Sequence, residues 1–397
     1  MTHRWAPVAT GLVFMTMLLA APMPSLAADE PPQAGLTGGI FFTLQHDNNY
    51  RSGYAPQEYT FTYLLADIQA DYRFNDRWSI KSMSRFDILK NPTEDWYFKA
   101  QGLWVDWLYA DYDDGTWGTK FGKMRTQFGH LWEFERWDGL YTPNLAWDYK
   151  TDKMLGVAGS YTADAGAAGK HKATAYILKR DNTFLSQTLL SYPSATAVTS
   201  YLPERLHTDV GGPANTELPE SFVLTLEGSD YEFAPGLRTT LAYRYLKSGE
   251  NKATGFTAKD TSGIAATAFY TWQITDKLKW EPMVELVQLS DVDLGYNDNN
   301  GNRAYTDRNY WSAASFLYYG GWIWSAAYTD RSDHNLGPGV VSDDVSLLTS
   351  SISYYWDNGW GVGAGWQRSH NSSLLDPAFR VMDTDTFGVS VMYYLPF

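Results

Sequence analysis

Charged side chains alternate with apolar ones along several segments of this sequence. In the segment 77–88, Lys81, Arg85 and Asp87 share one face, whereas aromatic and aliphatic side chains share the other. A Lys or Arg facing lipid at mid-membrane costs about 2–4 kcal/mol, so such charges must face water. Charges around an enclosed aqueous space act on ions and polar solutes through their electric field. The same alternation places these residues on wet faces: Asp67, Gln69, Asp71 and Arg73; Arg238 and Arg244; Lys279, Glu281 and Glu285.

The elements that must position these side chains are β-strands. A period of two is typical of a strand with one apolar and one wet face. About sixteen such segments occur, an even number, which predicts an all-β, transmembrane, antiparallel β-barrel. The predicted strands are 37–46, 59–74, 77–88, 97–112, 116–127, 153–162, 171–180, 220–232, 237–247, 262–274, 277–290, 308–319, 321–330, 344–356, 359–369 and 383–397.

The connections between these strands are alternately long and short. Turn residues such as Asn75-Asp76 and Asn358-Gly359 occupy the short ones. In outer-membrane barrels the short turns face the periplasm and the long loops face outside. A soluble sandwich or propeller is the alternative that this asymmetry disfavours. The long connections are 47–58, 89–96, 128–152, 181–219, 248–261, 291–307, 331–343 and 370–382.

Composition supports a barrel and excludes other classes. Mean hydropathy is -0.37, which is low for a membrane protein but expected when only alternate residues face lipid. Aromatic residues make up 16% of the chain and suit the girdles at the two membrane interfaces. The net charge of -14 argues against nucleic acid as a partner and favours cations in a pore. The chain has no cysteine, so disulfides and cysteine metal sites are excluded.

The two ends of the chain indicate its destination. Residues 1–27 form a predicted signal peptide, with a basic start, a short apolar stretch and small residues before the cleavage site. The barrel is then the single domain 28–397. At the other end, Tyr393, Leu395 and Phe397 lie on the apolar face of the last strand. An aromatic residue closing such a strand is the signal for the barrel assembly machinery of Gram-negative bacteria, which predicts the cell outer membrane.

The third long connection, 128–152, combines acidic and aromatic residues and follows the fifth strand. Here the chain resembles the sixteen-stranded porins of Gram-negative bacteria, which fold this loop into the lumen. The resemblance implies a homotrimer and a constriction in which acidic loop groups oppose a basic wall. The implied loop groups are Glu133, Glu135 and Asp138, with Asp148 as a further candidate; the wall groups are Arg73, Lys81, Arg85, Lys123 and Arg125.

In the fifth strand the faces are harder to assign. We expect Lys123, Arg125 and Gln127 to point into the lumen, which leaves Lys120 on the other face near the periplasmic rim. The stretch Phe121-Gly122-Lys123 through Phe128-Gly129 to Leu155-Gly156 also resembles a group of porin-like proteins, and that resemblance names no substrate.

The predicted function is passive diffusion of small hydrophilic solutes, with a preference for cations. The aromatic density of the third loop leaves a sugar-selective or polysaccharide-export channel open, because rings stack on sugars. The alternative interpretation is that these rings pack the loop against the wall. A scaffold barrel for a partner complex is the alternative outside transport. Besides solutes and the assembly machinery, the expected partners are outer-membrane lipid and lipopolysaccharide.

Enzymatic and metal sites have little support in the sequence. The histidines fall mostly at strand ends or in outer loops, and no Gly-x-Ser-x-Gly motif accompanies them, so we expect neither an enzyme nor a cofactor. The sixth long connection, 291–307, is rich in Asp and Asn. Oxygen-rich loops can bind calcium, but this loop lacks the spacing of an EF-hand, and an ordinary solvated loop is the favoured interpretation.

Overall fold

The computed structural model describes residues 34–53, 57–89, 92, 94–135, 138–191, 205–297, 302–334, 344–371 and 382–397. The predicted signal peptide, 1–27, lies outside these residues, and so do parts of several predicted outer loops. Within the described part, no helix is long and apolar enough to cross a membrane.

Sixteen long strands form the wall, and each matches one predicted strand. Neighbours in the chain pair antiparallel, and the first strand pairs with the last, so the sheet closes into a barrel. The strands are β1 Gly35–Ser52, β2 Thr60–Arg73, β3 Trp78–Ile88, β4 Gln101–Asp113, β5 Trp117–Met124, β6 Met154–Asp164, β7 Lys170–Arg180, β8 Ser221–Ser229, β9 Leu237–Leu246, β10 Thr261–Tyr270, β11 Leu278–Asn297, β12 Arg303–Tyr319, β13 Trp322–His334, β14 Val345–Tyr355, β15 Trp360–Asn371 and β16 Met382–Pro396.

Shorter elements decorate this wall. Trp272–Gln273 continues β10 along β11, and Trp96–Tyr97 adds to β2. Val210–Pro213, Ser248–Asn251 and Phe256–Thr257 form a separate small sheet between the fourth and fifth long loops. The described residues also include four 3-10 helices: Leu131–Glu133, Asn144–Tyr149, Gly166–Ala168 and Phe184–Ser186.

The closing pair of strands has the faces that the alternation predicts. Phe41 and Tyr394 stack inside the barrel, with ring centroids 4.3 Å apart. Phe387, Leu395 and Phe397 are exposed on the outside. The outward face of β16 is therefore the apolar one.

Aromatic rings on the outer face concentrate beside the short turns. Trp78 contacts Tyr112 across strands, and Trp360 contacts Tyr393, with ring centroids 5.0 and 5.1 Å apart. Trp78 flanks the turn between β2 and β3, Tyr112 the turn between β4 and β5, and Trp360 the turn between β14 and β15. Such cross-strand pairs stabilise neighbouring strands at the rim of the barrel and form the girdle expected at one membrane interface.

The predicted sixth loop is largely strand. β11 continues to Asn297 and β12 begins at Arg303, so the hairpin extends well beyond its predicted ends at 290 and 308. Arg303 pairs with Asp293 at 2.7 Å across this extension. Among the described residues, no group of three or more His, Asp or Glu side chains is arranged to hold a metal ion.

β5 is the shortest of the sixteen wall strands, because the chain leaves the sheet after Met124 and enters the lumen. The place beside β4 that β5 vacates is taken by Leu190–Ser191, which pairs with Gly102 and Leu103. The segment after β7 therefore completes the wall where the third loop departs.

Lys120 and Lys123 lie on the faces opposite to those we predicted. Lys120 is paired in register with Asp111 and faces the lumen, whereas Lys123 is paired with Leu108 on the outward face. Lys123 is only 2% exposed, because the segment after β7 covers it and Asp181 pairs with it at 2.9 Å. The prediction was wrong because it took the alternation from residues 125 and 127, which lie beyond the end of the strand.

Candidate pore constriction

The third loop, residues 125–153, crosses the lumen. Its described residues are 125–135 and 138–153. Buried side chains from the loop form one apolar cluster with inward-facing residues of the wall. The loop members of this cluster are Phe128, Leu131, Trp132, Leu140, Ala146 and Tyr149.

One carboxyl group anchors the beginning and the end of the loop to the wall. Glu285 of β11 is 1% exposed and accepts hydrogen bonds from the backbone N–H groups of His130 and Leu131. The hydroxyls of Tyr149 and Thr267 also donate to it. Since buried polar groups are stabilised only when they are paired, this convergence fixes the loop against β10 and β11.

Arg244 of β9 holds the same part of the loop from the neighbouring wall. Its guanidinium donates to the backbone oxygen of Tyr149 at 2.7 Å and to the Thr151 hydroxyl at 2.9 Å. Its charge also lies 4.5 Å from the centroid of the Phe128 ring. Tyr149 is therefore held through its hydroxyl by Glu285 and through its backbone oxygen by Arg244.

His130 forms the next contact and pairs with one of the predicted acidic residues. Its ring lies 3.0 Å from Glu133 and 2.8 Å from the Thr240 hydroxyl. Burial alone lowers the pKa of His130, but the hydrogen bond and charge of Glu133 raise it above its ordinary value. Burial raises the pKa of Glu133, and His130 lowers it below its ordinary value. Glu133 is therefore ionised, and His130 partly compensates its negative charge.

Glu135 contacts Arg85, one of the basic wall residues that the resemblance implied. Arg85 of β3 donates to Glu135 at 2.9 Å and to Asp67 of β2 at 2.7 Å, so one guanidinium bridges loop and wall. This pairing brings together two of the residues that the resemblance implied.

Further charges surround this bridge. Asp106 is the extra residue of a bulge in β4, and its charge interacts with Lys150 and Arg85. Lys150 pairs with Asp152 at 2.9 Å. Arg125 lies over the ring of Trp107, 4.1 Å from its centroid, and so points inward as predicted. We call this region the charged side: Asp67, Arg85, Asp106, Arg125, Glu135, Lys150 and Asp152.

The other two predicted wall residues lie away from the loop contacts. Lys81 pairs with Asp111 at 2.7 Å towards the periplasmic end. Arg73 is exposed at the last position of β2. Neither touches the described acidic residues of the loop, so fewer basic wall residues face the loop than the resemblance implied.

Asp138 faces the cavity below the loop. Its carboxyl accepts a hydrogen bond from the Glu135 backbone N–H at 3.0 Å. The pKa of Asp138 is raised to about 8, chiefly by burial and also by the charges of Glu135 and Glu133, although the hydrogen bond from Glu135 opposes this shift. At neutral pH this acid is therefore mostly uncharged.

The far end of the loop is held by residues that the sequence did not single out. The Ser325 hydroxyl donates to the backbone oxygen of Gly139 at 2.5 Å, and Ser351 donates to the same atom. Asp148 pairs with Arg331 at 2.9 Å. We call these contacts the anchored side, with wall residues Thr240, Arg244, Thr267, Glu285, Tyr310, Ser325, Arg331 and Ser351.

A cavity of about 950 Å³ lies on the periplasmic side of the loop, bounded by β6 to β13. Residues next to short turns, such as Lys170 and Gln273, mark its mouth. Basic and acidic groups both line it: Lys170, Lys172, Arg238 and Lys279, together with His130, and Glu133, Asp138, Glu227 and Glu281.

Solved structures share this architecture. The chain is similar to the outer membrane channel DcaP of Acinetobacter baumannii, with a TM-score of 0.57 and 10% identity, over 92% of this chain and 97% of that chain. It is also similar to an anion-selective porin from Comamonas acidovorans, with a TM-score of 0.50 and 9% identity, over 92% of this chain and 99% of that chain. The chain has the fold of an outer-membrane porin. No protein-family profile and no curated protein matches the sequence.

Within this porin fold, most aromatic rings of the loop pack rather than line a path. Phe128, Trp132, Tyr141 and Tyr149 are buried. Phe134 stacks on Phe316 of β12 and borders the cavity. Trp137 lies outside the described residues. The interpretation that the rings hold the loop against the wall therefore fits the described part better than a row of sugar-stacking rings.

Proposed function

We propose that this protein is a diffusion channel of the Gram-negative outer membrane. It carries small hydrophilic solutes passively, with a preference for cations, and it transforms none of them. The porin fold, the predicted signal peptide and the aromatic last strand support this assignment. On the same basis we propose contacts with outer-membrane lipid, lipopolysaccharide and the barrel assembly machinery, and assembly as a homotrimer.

The observation that carries the proposal is the charged side. Seven ionisable side chains meet here, and their exposure is mixed: the side chains of Glu135 and Asp152 are 17% and 22% exposed, whereas that of Asp67 is 1% exposed. Because Asp148 on the anchored side is itself 33% exposed, the number of ionisable groups, and not their exposure, distinguishes the charged side. Ionised groups in a dry interior carry a desolvation penalty of several kcal/mol each. The concentration of charge between the loop and β2–β4 therefore favours water, and with it a solute path, on this side.

Charge pairing predicts only a moderate cation preference. Glu133 is paired with His130, and Asp138 is mostly uncharged at neutral pH. Glu135 is the predicted loop acid that meets the wall directly, and it shares Arg85 with Asp67. The field across the constriction therefore depends on the balance between Arg85 and these two carboxyl groups.

The test is the reversal potential of the purified barrel in a planar bilayer under a salt gradient. Glu135→Gln removes a negative charge and should shift the reversal potential away from cations. Arg85→Met removes a positive charge beside two carboxyl groups and should shift it towards cations. Lys99→Met is the matched control, because Lys99 pairs with Glu94 on the exposed second loop, 3.0 Å apart.

Three results would count against the proposal. A correctly folded barrel without conductance would favour the scaffold alternative. Equal reversal potentials for Arg85→Met and Lys99→Met would remove the charged side from the path. Saturable block of the current by a sugar would favour the substrate-selective alternative.

A further inference from the structure

The tip of the third loop lies against β15, β16 and β1 of the wall. The Tyr141 ring is 5% exposed and lies over Gly365 of β15 and Gly388 of β16. These two glycines are paired across the strands. Together they give the wall a flat patch of backbone where the ring rests.

Only glycine fits at these two wall positions. A Cβ added to Gly365 would lie 2.6 Å from Cγ of Tyr141. One added to Gly388 would lie 2.6 Å from Cε2 of the same ring and closer still to the Asp47 carboxyl group. Real Cβ atoms do not approach a ring so closely, and both positions are in regular strand, where backbone conformation does not require glycine. Gly365 is therefore explained by the Tyr141 ring, and Gly388 by the ring together with the Asp47 carboxyl group that the ring binds.

A hydrogen bond completes the seat of the ring. The Tyr141 hydroxyl donates to Asp47 of β1 at 2.7 Å, and the Tyr63 hydroxyl of β2 donates to the other oxygen of the same carboxyl at 3.3 Å. Asp47 is 2% exposed. A buried carboxyl group is stabilised by such donors, so Tyr141 and Asp47 stabilise each other in this position.

We propose that Tyr141 and the Gly365–Gly388 notch form a latch that holds the third loop across the lumen and sets the width of the pore. Tyr141 is a positioning residue here, because it acts through the loop and not on a solute. This inference rests on the proposed channel function.

The latch differs from the anchor at the other end of the loop. Glu285 binds two backbone N–H groups and two hydroxyls, so its loss disturbs both ends of the loop. The tip rests on one ring, the Asp47 contact and the two serine hydroxyls on Gly139. Release of the ring leaves the Glu285 contacts in place, and the freed tip then widens the passage.

The experiment changes the wall and leaves the loop sequence intact. Gly365→Ala and Gly388→Ala should expel the ring, and Tyr141→Ala removes it without a clash. All three should raise the single-channel conductance severalfold and admit larger sugars in liposome swelling. Tyr141→Phe keeps the ring, loses the hydroxyl and should have a smaller effect. Gly159→Ala on β6 is the control, because a Cβ there meets nothing within 4 Å.

The outcomes separate the latch from the channel. If the wild type conducts and every variant equals the Gly159→Ala control, the latch is wrong and the channel stands. If the wild type is silent and Tyr141→Ala conducts, the latch is supported. If the folded wild type and Tyr141→Ala are both silent, both proposals fail. Heat-modified mobility on gels verifies that each barrel is folded.

Discussion

The third loop meets the two halves of the barrel wall through different chemistry. On the anchored side, Glu285, Arg244 and two serines bind backbone groups, hydroxyls and rings that are almost fully buried. On the charged side, Arg85 bridges Glu135 and the buried Asp67, and the neighbouring pair Lys150 and Asp152 is partly exposed. Buried hydrogen bonds fix a position, whereas partly solvated ion pairs exchange readily with water and ions. We therefore propose that the anchored side holds the loop and that solutes pass on the charged side.

Loss of Glu285 should have the largest effect on the anchored side. Glu285→Leu leaves the N–H groups of His130 and Leu131 and two hydroxyls without their acceptor. Each unsatisfied buried donor costs about 1–3 kcal/mol, so we expect a clear loss of thermal stability in detergent, measured by circular dichroism. Glu285→Gln, which keeps one acceptor oxygen and the side-chain shape, should fall between Glu285→Leu and the wild type.

The control for this change is Glu227→Gln, which removes a charge from a carboxyl that lines the cavity. It should leave the melting temperature close to that of the wild type. Equal melting temperatures for Glu285→Leu and Glu227→Gln would contradict the distinction between the two sides, since the loop would not depend on its anchor.

A smaller effect should come from pH, through Asp138 at the periplasmic surface of the loop. Because the pKa of Asp138 is raised to about 8, this acid is protonated at pH 7 and gains charge as the pH passes 8. The ordinary pKa of this carboxyl group is 3.8, so its contribution to stability is complete below that pH and is lost as the pH rises from there to about 8. Because Asp138 gains a negative charge in this range, cation preference should increase between pH 7 and pH 9, as measured by the reversal potential.

Lys153 changes in the same range and adds to this effect. Burial lowers the pKa of Lys153 to about 8, so this residue loses its positive charge over the same interval. Asp138→Asn should remove part of the pH dependence, and Asp138→Asn with Lys153→Met should remove most of it. An undiminished shift in the double variant would assign the titration to other groups.

The barrel itself was predictable because a strand in lipid and water must alternate. Each of the sixteen strands was found, and the inward positions of Arg85, Arg244 and Glu285 followed from the cost of a charge in lipid. The error at Lys120 and Lys123 has a physical cause. Lys123 is outward but covered by the chain near Asp181, so the lipid rule did not apply to it.

The contacts of the loop were not predictable in the same way. Glu285 was assigned to the lumen, but its role depends on residues more than 130 positions earlier in the chain, which only barrel closure brings near. Gly365 and Gly388 look like ordinary small residues on a wet strand face. Their function becomes visible only when Tyr141 lies on them.

The most direct test of the account compares the accessibility of the two sides during conduction. The chain has no cysteine, so a single introduced thiol is labelled uniquely. Glu135→Cys places the thiol on the charged side, and Ser325→Cys places it on the anchored side with little change of shape. We predict that a charged methanethiosulfonate reagent reduces the current through Glu135→Cys and leaves Ser325→Cys unchanged. Rapid modification of Ser325→Cys with no effect on Glu135→Cys would contradict the assignment of the solute path.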